Sequence, residues 1–134
     1  MTLIEAHKEN VKELVEDIEE KLRADITTKR QKLIGFACSE ASCELLAILL
    51  HKNNLIDPGF NINHRFFVSE KIAKNKFSFE FPSKSKLIPL LIKQETYRNL
   101  LCYGKPKDKT LVTECIENLF GVKKLIEKEM GEEI

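Results

Sequence analysis

The sequence predicts an all-α protein: an antiparallel up-and-down bundle of four long helices plus one short helix, in a single domain of residues 1–134. Apolar residues recur every three or four positions along most of the chain, which is the spacing of helices with a buried face. The 134 residues include only 5 Gly and 4 Pro, so long irregular segments are not expected. A domain of this length can bury a core without a metal or a disulfide.

The first two predicted helices differ in how much of their surface is apolar. The first covers about residues 3–23, starts with a capping-box pattern and has one apolar stripe. The second covers about residues 27–52 and is apolar on most of its surface, Leu33 and Phe36 included. We expect it in the middle of the bundle, where small residues such as Gly35 let a neighbouring helix approach closely.

Three further helices and one connector complete the predicted bundle. A short helix is expected over residues 63–74, and the alternating Phe residues of segment 77–82 predict an extended connector, because no second strand is available to pair with it. The fourth helix is expected to start between residues 83 and 85 and to end near residue 103, with Pro89 in or near its first turn. The last covers about residues 107–130.

The cysteines and the N-terminal region point to a cytoplasmic protein without a metal or cofactor. The N-terminus is rich in Glu and lacks the apolar core of a secretory signal. The most apolar stretch, Leu33–Leu50, is interrupted by Ser and Glu and is expected to be too polar and too short to span a bilayer. No Cys-x-x-Cys pair occurs, so reduced core thiols are expected, with an opportunistic disulfide or a redox role as the alternative, at Cys38, Cys43, Cys102 and Cys115.

Charge is distributed unevenly along a chain whose net charge is only +1. Residues 1–62 carry 8 Lys/Arg against 11 Asp/Glu, residues 63–109 carry 11 against 4, and residues 110–134 carry 3 against 6. A middle segment of net charge +7 between acidic flanks can bind phosphate locally. The alternative is a solvated lysine-rich surface.

The segment Tyr97–Gly104 carries the most specific functional signal. Arg98 and Asn99 interrupt an apolar run, Tyr103 follows five residues after the Arg, and Gly104 is expected to stop the helix in a left-handed conformation. Together with the order of the helices, these residues resemble the HEPN superfamily, particularly the small HepT-like proteins that are partnered with minimal nucleotidyltransferases.

The resemblance implies a HEPN-like domain over nearly the whole chain and a homodimer. Active members of the superfamily are metal-independent ribonucleases, whose motif is an Arg, a polar residue and a His four to six residues after the Arg; two protomers usually bring their motifs together. Arg98 matches the motif Arg, Asn99 the polar residue, and Tyr103 stands in the place of the His. In HepT-like members a Tyr two residues beyond the His often accepts AMP from the partner enzyme; here that position is Lys105.

The chemistry of such a site assigns a role to each side chain. A guanidinium can hold a phosphate in two places at once, so Arg98 is the expected phosphate ligand, supported by Lys105 and Lys107, and Asn99 and Tyr103 complete the candidate catalytic set. A Tyr is a poor base, because lowering its pKa from about 10 to neutrality takes about 4 kcal/mol. His64 is the best substitute among the three histidines, which are otherwise expected to be exposed or capping residues.

Each of these residues also has a structural interpretation. Arg98 could form an ion pair with Glu40 or Glu44 on the second helix, Tyr103 could seal the helix end, and Asn99 could serve packing or hydrogen bonding at that end.

Three functions are therefore open. The leading hypothesis is a HEPN-like protein of a toxin–antitoxin or RNA-processing system, with an RNA- or nucleotide-binding site around Arg98 and weak or lost hydrolytic activity. The second is an active metal-independent ribonuclease toxin. The third is a non-catalytic helical partner subunit of a minimal nucleotidyltransferase antitoxin or of another protein.

Overall fold

The structure, a computed structural model, describes residues 2–134 and is all-helical over that range. Four long helices and one short helix are present, which confirms the predicted helix count, and no strand forms between residues 2 and 134. The helices are α1 (Leu3–Arg23), α2 (Gln31–Lys52), α3 (Glu70–Lys76), α4 (Lys84–Cys102) and α5 (Lys109–Met130), with a 3₁₀ turn at His64–Phe67 before α3.

Helix α2 lies at the centre of the bundle and packs against α1, α4 and α5. His7 near the start of α1 contacts Glu44 in the second half of α2, and Gly35 near the start of α2 lies against Leu101 at the end of α4. The helices α1, α2 and α4 therefore alternate in direction. This arrangement places the first turns of α2 beside the last turns of α4, where the Arg98 segment lies.

The central position of α2 agrees with its apolar sequence, with one local correction. Leu33 and Phe36 were expected in the core, but their side chains are 54% and 47% exposed. They lie on the side of α2 that forms an open groove with α1, so no other helix covers them. By length and composition α2 could also cross a membrane, contrary to the sequence-based expectation, but 78% of its apolar window is buried inside this fold, as in the core helix of a bundle.

Capping residues explain where the helix boundaries differ from prediction. The helix expected over residues 63–74 is divided into a 3₁₀ turn and α3, because the extended residue Ser69 interrupts it and its hydroxyl accepts a hydrogen bond from the backbone of Ile72. The last helix begins at Lys109 because Asp108 caps it. Helix α2 begins only at Gln31, after a turn over residues 27–30.

The connector over residues 77–82 forms neither a helix nor a paired strand, as predicted, but it contains turns at Phe77 and Pro82 and a bend at Phe79 and is not one extended run. Its alternating side chains enter an aromatic cluster, in which the fully buried Phe77 stacks against Phe67 with 5.5 Å between ring centroids. Because Phe67 belongs to the 3₁₀ turn, this cluster fixes that turn against the bundle. The other members are Phe60, Phe66, Phe79 and Phe81.

Helix α4 is irregular at its start and sharply terminated at its end. It begins at Lys84, so Pro89 falls in the second turn rather than the first. At the other end, Tyr103 is extended and Gly104 has a φ of +76°, the left-handed conformation predicted for it. The stop at Gly104 leaves Arg98 in the last turn and a half of the helix.

Candidate functional site: a pocket around Arg98

The Arg98 pocket is a cleft of about 470 Å³ between α4 and the segment that contains the 3₁₀ turn and α3. Glu95, Arg98 and Asn99 reach it from one face of α4, since residues three and four apart in a helix lie side by side. The structure thus brings together three of the sequence-predicted candidates, Arg98, Asn99 and Tyr103, and adds His64. The remaining lining residues are Arg65, Val68, Ile72 and Glu95.

His64 and Glu95 form a close, largely buried pair in this pocket. The Nδ1 atom of His64 lies 2.9 Å and 3.0 Å from the two carboxylate oxygens of Glu95. Glu95 is only 4% exposed, and a buried carboxylate is stable only when it is paired or hydrogen-bonded. When Nδ1 carries a proton and donates it to Glu95, the Nε2 atom of a neutral imidazole is left as a proton acceptor.

Arg98 is half-buried beside this pair and has no carboxylate partner. No ion pair within 4.0 Å involves Arg98 among residues 2–134, and its Nε atom is buried without a hydrogen-bond partner. The alternative ion pair with Glu40 or Glu44 is therefore not formed; Glu44 instead contacts His7 at 2.5 Å. Because a buried guanidinium nitrogen without a hydrogen-bond partner is costly, the pocket is chemically suited to an anionic ligand.

Helix α2 brings α4 into place at this point through Gly35. A Cβ atom on Gly35 would lie 3.0 Å from the Cβ of Leu101 and 3.2 Å from the Sγ of Cys102. It would also lie 3.7 Å from the Cα of Arg98. The absent side chain is therefore what allows α2 to lie directly behind the Arg98 segment.

The histidine side of the pocket is fixed by local capping. Asn63 precedes the 3₁₀ turn, and its side-chain oxygen accepts a hydrogen bond of 2.8 Å from the backbone of Arg65. Phe67 at the end of the turn is buried in the aromatic cluster. These two anchors hold His64 towards α4.

The two predicted phosphate-binding lysines lie outside the Arg98 pocket. Lys107 donates its ammonium to the carbonyl of Lys105 and its backbone N–H to the side chain of Gln31. Tyr103 does line the pocket, but it is 62% exposed at the rim. The second cation that lines the pocket is Arg65.

No cysteine lines the Arg98 pocket. All four are free. Burial, followed by the nearby carboxylates Glu40 and Glu95, raises the pKa of Cys43 to about 12. Cys102 lies one helical turn after Arg98 on α4, and burial raises its pKa as well, against the opposing effect of the guanidinium. A thiol whose pKa is raised carries little thiolate at neutral pH.

The other two histidines form a separate cluster between α1 and α2, which we call the His7–His51 cluster. His7 contacts Glu44, and its ring stacks on His51 with 5.5 Å between centroids. Both are half-buried, so the expectation that they are exposed or capping residues is wrong.

Neither this cluster nor any other group of residues in the described range, 2–134, forms a set of three or more His, Cys, Asp or Glu side chains suited to a metal ion.

Two charged residues of the pocket, Glu95 and Arg65, were missed from the sequence. Glu95 had a readable signal, because it lies three residues before Arg98 on the same face of a partly apolar helix. Arg65 had no such signal in the sequence, since only the tertiary contact between the 3₁₀ turn and α4 places it in the pocket.

No family model, no curated protein and no solved structure matches this chain.

Proposed function

We propose that this protein binds RNA through a phosphate held by Arg98. The observation that carries the proposal is the half-buried guanidinium without a carboxylate partner in a pocket that also contains Arg65. Phosphate contacts supply much of the affinity of RNA-binding proteins, and Arg is the side chain best suited to them. The net charge of +7 over residues 63–109 would attract the rest of the strand.

The wider proposal is a HEPN-like bundle from a toxin–antitoxin or RNA-processing system, acting in the cytoplasm. Its support is the order of the helices and the Arg98–Asn99–Gly104 helix end, as described above. Tyr103 in the place of the motif His supports weak or lost hydrolysis at the motif itself. The association of two copies is part of this proposal.

The test is binding of a short fluorescent single-stranded RNA, followed by anisotropy. Arg98→Ala should weaken binding by about tenfold or more, because hydrogen bonds to a charged group contribute about 1.5–3 kcal/mol. Lys86→Ala is the matched control: it removes one exposed cation from the same helix, outside the pocket. Equal affinities of wild type and Arg98→Ala would rule out this site.

A second function, metal-independent RNA cleavage, is favoured by the pair of His64 and Glu95. In this reaction Nε2 of His64 accepts the proton of a ribose 2′-hydroxyl, and the 2′-oxygen forms a bond to the adjacent phosphorus. The bond from phosphorus to the 5′-oxygen breaks, and that oxygen takes a proton from water. The hydroxide that remains takes the proton from His64, which restores the base. Arg98 stabilises the additional negative charge on the phosphoryl oxygens, and the products are a 2′,3′-cyclic phosphate and a 5′-hydroxyl.

Cleavage is tested with purified protein in EDTA. Wild type should cleave RNA, and Arg98→Ala and His64→Gln should lose at least about a hundredfold in rate. His51→Gln serves as the histidine control, because it changes a histidine outside the pocket. Tyr103→Phe separates the two candidate bases: a loss of cleavage in this variant would assign the role of the base to Tyr103. Intact RNA with wild type would dismiss cleavage and leave the binding proposal standing.

The third function, a non-catalytic partner of a nucleotidyltransferase, stays a prediction. It requires a stable complex with that enzyme and no affinity for RNA. The anisotropy experiment therefore separates it from both functions above.

A further inference from the structure

An open groove between α1 and α2 exposes apolar side chains that a soluble bundle would ordinarily cover. Its volume is about 550 Å³, and we call it the α1–α2 groove. The floor is apolar and includes Leu33 and Phe36, the two exposed residues of the otherwise buried central helix. Both are large apolar side chains about half-exposed one turn apart, so together they form a continuous apolar surface.

One wall of the α1–α2 groove is acidic. Glu13, Glu16 and Glu20 lie along the same face of α1, at helical spacing, and none forms an ion pair among residues 2–134. The only cation in the groove, Lys21, is already paired with Asp17. A segment that covers this groove should therefore be apolar along its centre and carry free Lys or Arg at its side.

The chain itself carries a surface of this chemistry, which we call the α3 edge. Val68 and Ile72 are 55% and 39% exposed and lie four residues apart. Arg65 and Lys71 are exposed beside them and form no ion pair in the described part of the chain, whereas Lys74 is paired with Glu70. The α3 edge is thus complementary to the groove: both have exposed apolar residues, and the unpaired cations of the edge can face the unpaired carboxylates of the groove.

We propose that the α1–α2 groove of one copy binds the α3 edge of a second copy. Val68 and Ile72 of one copy would cover Leu33 and Phe36 of the other. The carboxylates of α1 would face Arg65 and Lys71.

The contact is heterologous, because two different surfaces of the chain meet. Each copy keeps one groove and one edge free after the first contact, so association continues until a ring closes or an open chain grows. This differs from the face-to-face pairing of two motifs that the resemblance to HEPN proteins implies. It can be measured without RNA and does not rest on the proposed function. The two compete, because Arg65, Val68 and Ile72 of the α3 edge also line the Arg98 pocket.

The first experiment is sedimentation velocity of the full chain over a range of concentrations. Wild type should associate, and raising NaCl from about 50 mM to about 500 mM should weaken association by about tenfold, because the facing charges are screened. Phe36→Glu and Ile72→Glu should each be monomeric. Leu3→Glu is the control: it places the same charge on an exposed Leu outside both surfaces, and it should associate like wild type.

Mixing the two defective variants provides the decisive test. Phe36→Glu retains an intact α3 edge, and Ile72→Glu retains an intact groove, so an equimolar mixture should form a 1:1 dimer and stop there. An isologous contact through either surface would not be restored by mixing. Circular dichroism shows whether each variant folds. If one does not, the charge reversals Glu16→Lys and Lys71→Glu are used instead. Each alone should weaken association, and mixing the two should restore it.

Three results would overturn the proposal. The first is a wild-type chain that stays monomeric at every concentration at low salt. The second is undiminished association of folded Phe36→Glu. The third is two monomeric variants whose mixture stays monomeric, which would assign the association to another pair of surfaces.

Discussion

The Arg98 pocket and the His7–His51 cluster are built from the same kinds of residues but differ in what surrounds them. Each has a histidine held at Nδ1 by a glutamate from a long helix, His64 by Glu95 and His7 by Glu44. In the cluster, Glu44 also accepts a hydrogen bond from Asn10, and the neighbour of His7 is a second histidine ring. In the pocket, the neighbouring group is an arginine without an anion.

The difference shows that a histidine–glutamate pair is not by itself a functional site. In the His7–His51 cluster the pair joins α1 to α2, and the buried atom without a hydrogen-bond partner is Nε2 of His51, which belongs to an imidazole and not to a guanidinium. The Arg98 pocket places a proton acceptor and an unpaired guanidinium in one cleft. That combination of groups can both bind a phosphate and move a proton.

Removing each glutamate should separate the two regions most clearly. Glu95→Ala should lower the free energy of unfolding by about 3 kcal/mol, because it breaks a largely buried pair, leaves the half-buried His64 without its partner and opens a cavity. Glu44→Ala should cost about 1 kcal/mol, since that carboxylate is more exposed. Urea unfolding measures both values. Equal losses would mean that burial does not distinguish the two pairs.

The contact of α2 with α4 can be tested by adding one methyl group behind the pocket. Gly35→Ala should lower stability by about 1–2 kcal/mol, because the new Cβ meets Leu101 and Cys102 at 3.0–3.2 Å. It should also weaken RNA binding, since α4 must shift. Gly121→Ala in α5 is the control: its Cβ meets nothing within 4 Å, and removing a helical glycine should add about 0.5–1 kcal/mol. A stabilised Gly35→Ala would contradict the close contact.

The smallest expected effect is a pH dependence specific to the His7–His51 cluster. Burial, and then the neighbouring His7, lower the pKa of His51 from its usual 6.5. Below about pH 6.5 the unfolded chain therefore binds more protons at this position, and stability should fall as the pH falls through the folded pKa. Urea midpoints of wild type and His51→Gln at about pH 7.5 and pH 5.5 test this. The variant should lose less stability on acidification than wild type, and identical losses would exclude His51 as the source.

The sequence alone predicted the helices because their patterns are local. Helical spacing of apolar residues and the Gly104 stop are read over a few positions, and both agree with the structure. The division of the predicted helix at 63–74 was missed, although Ser69 is a favourable N-cap. A cap competes with a continuous helix, and spacing alone does not decide between them.

The candidate site was only half predictable for a related reason. Arg98, Asn99 and Tyr103 share one segment, but His64 reaches them from 31 residues before Glu95, through the anchoring of Phe67 in the aromatic cluster. Likewise, the exposure of Leu33 and Phe36 could not be read from an apolar helix. Which side of such a helix is left uncovered depends on how its neighbours pack.

The start of α4 has a consequence for local motion. Ser83 precedes the helix in a left-handed conformation without a capping hydrogen bond from its side chain, and Pro89 cannot donate to the carbonyl of Ser85. Amide hydrogens in residues 84–88 should therefore exchange with solvent faster than those around Glu95 and Arg98. The backbone hydrogen bonds of α4 would therefore open first at its N-terminal end, which is remote from the pocket, while its last turns stay packed against Gly35.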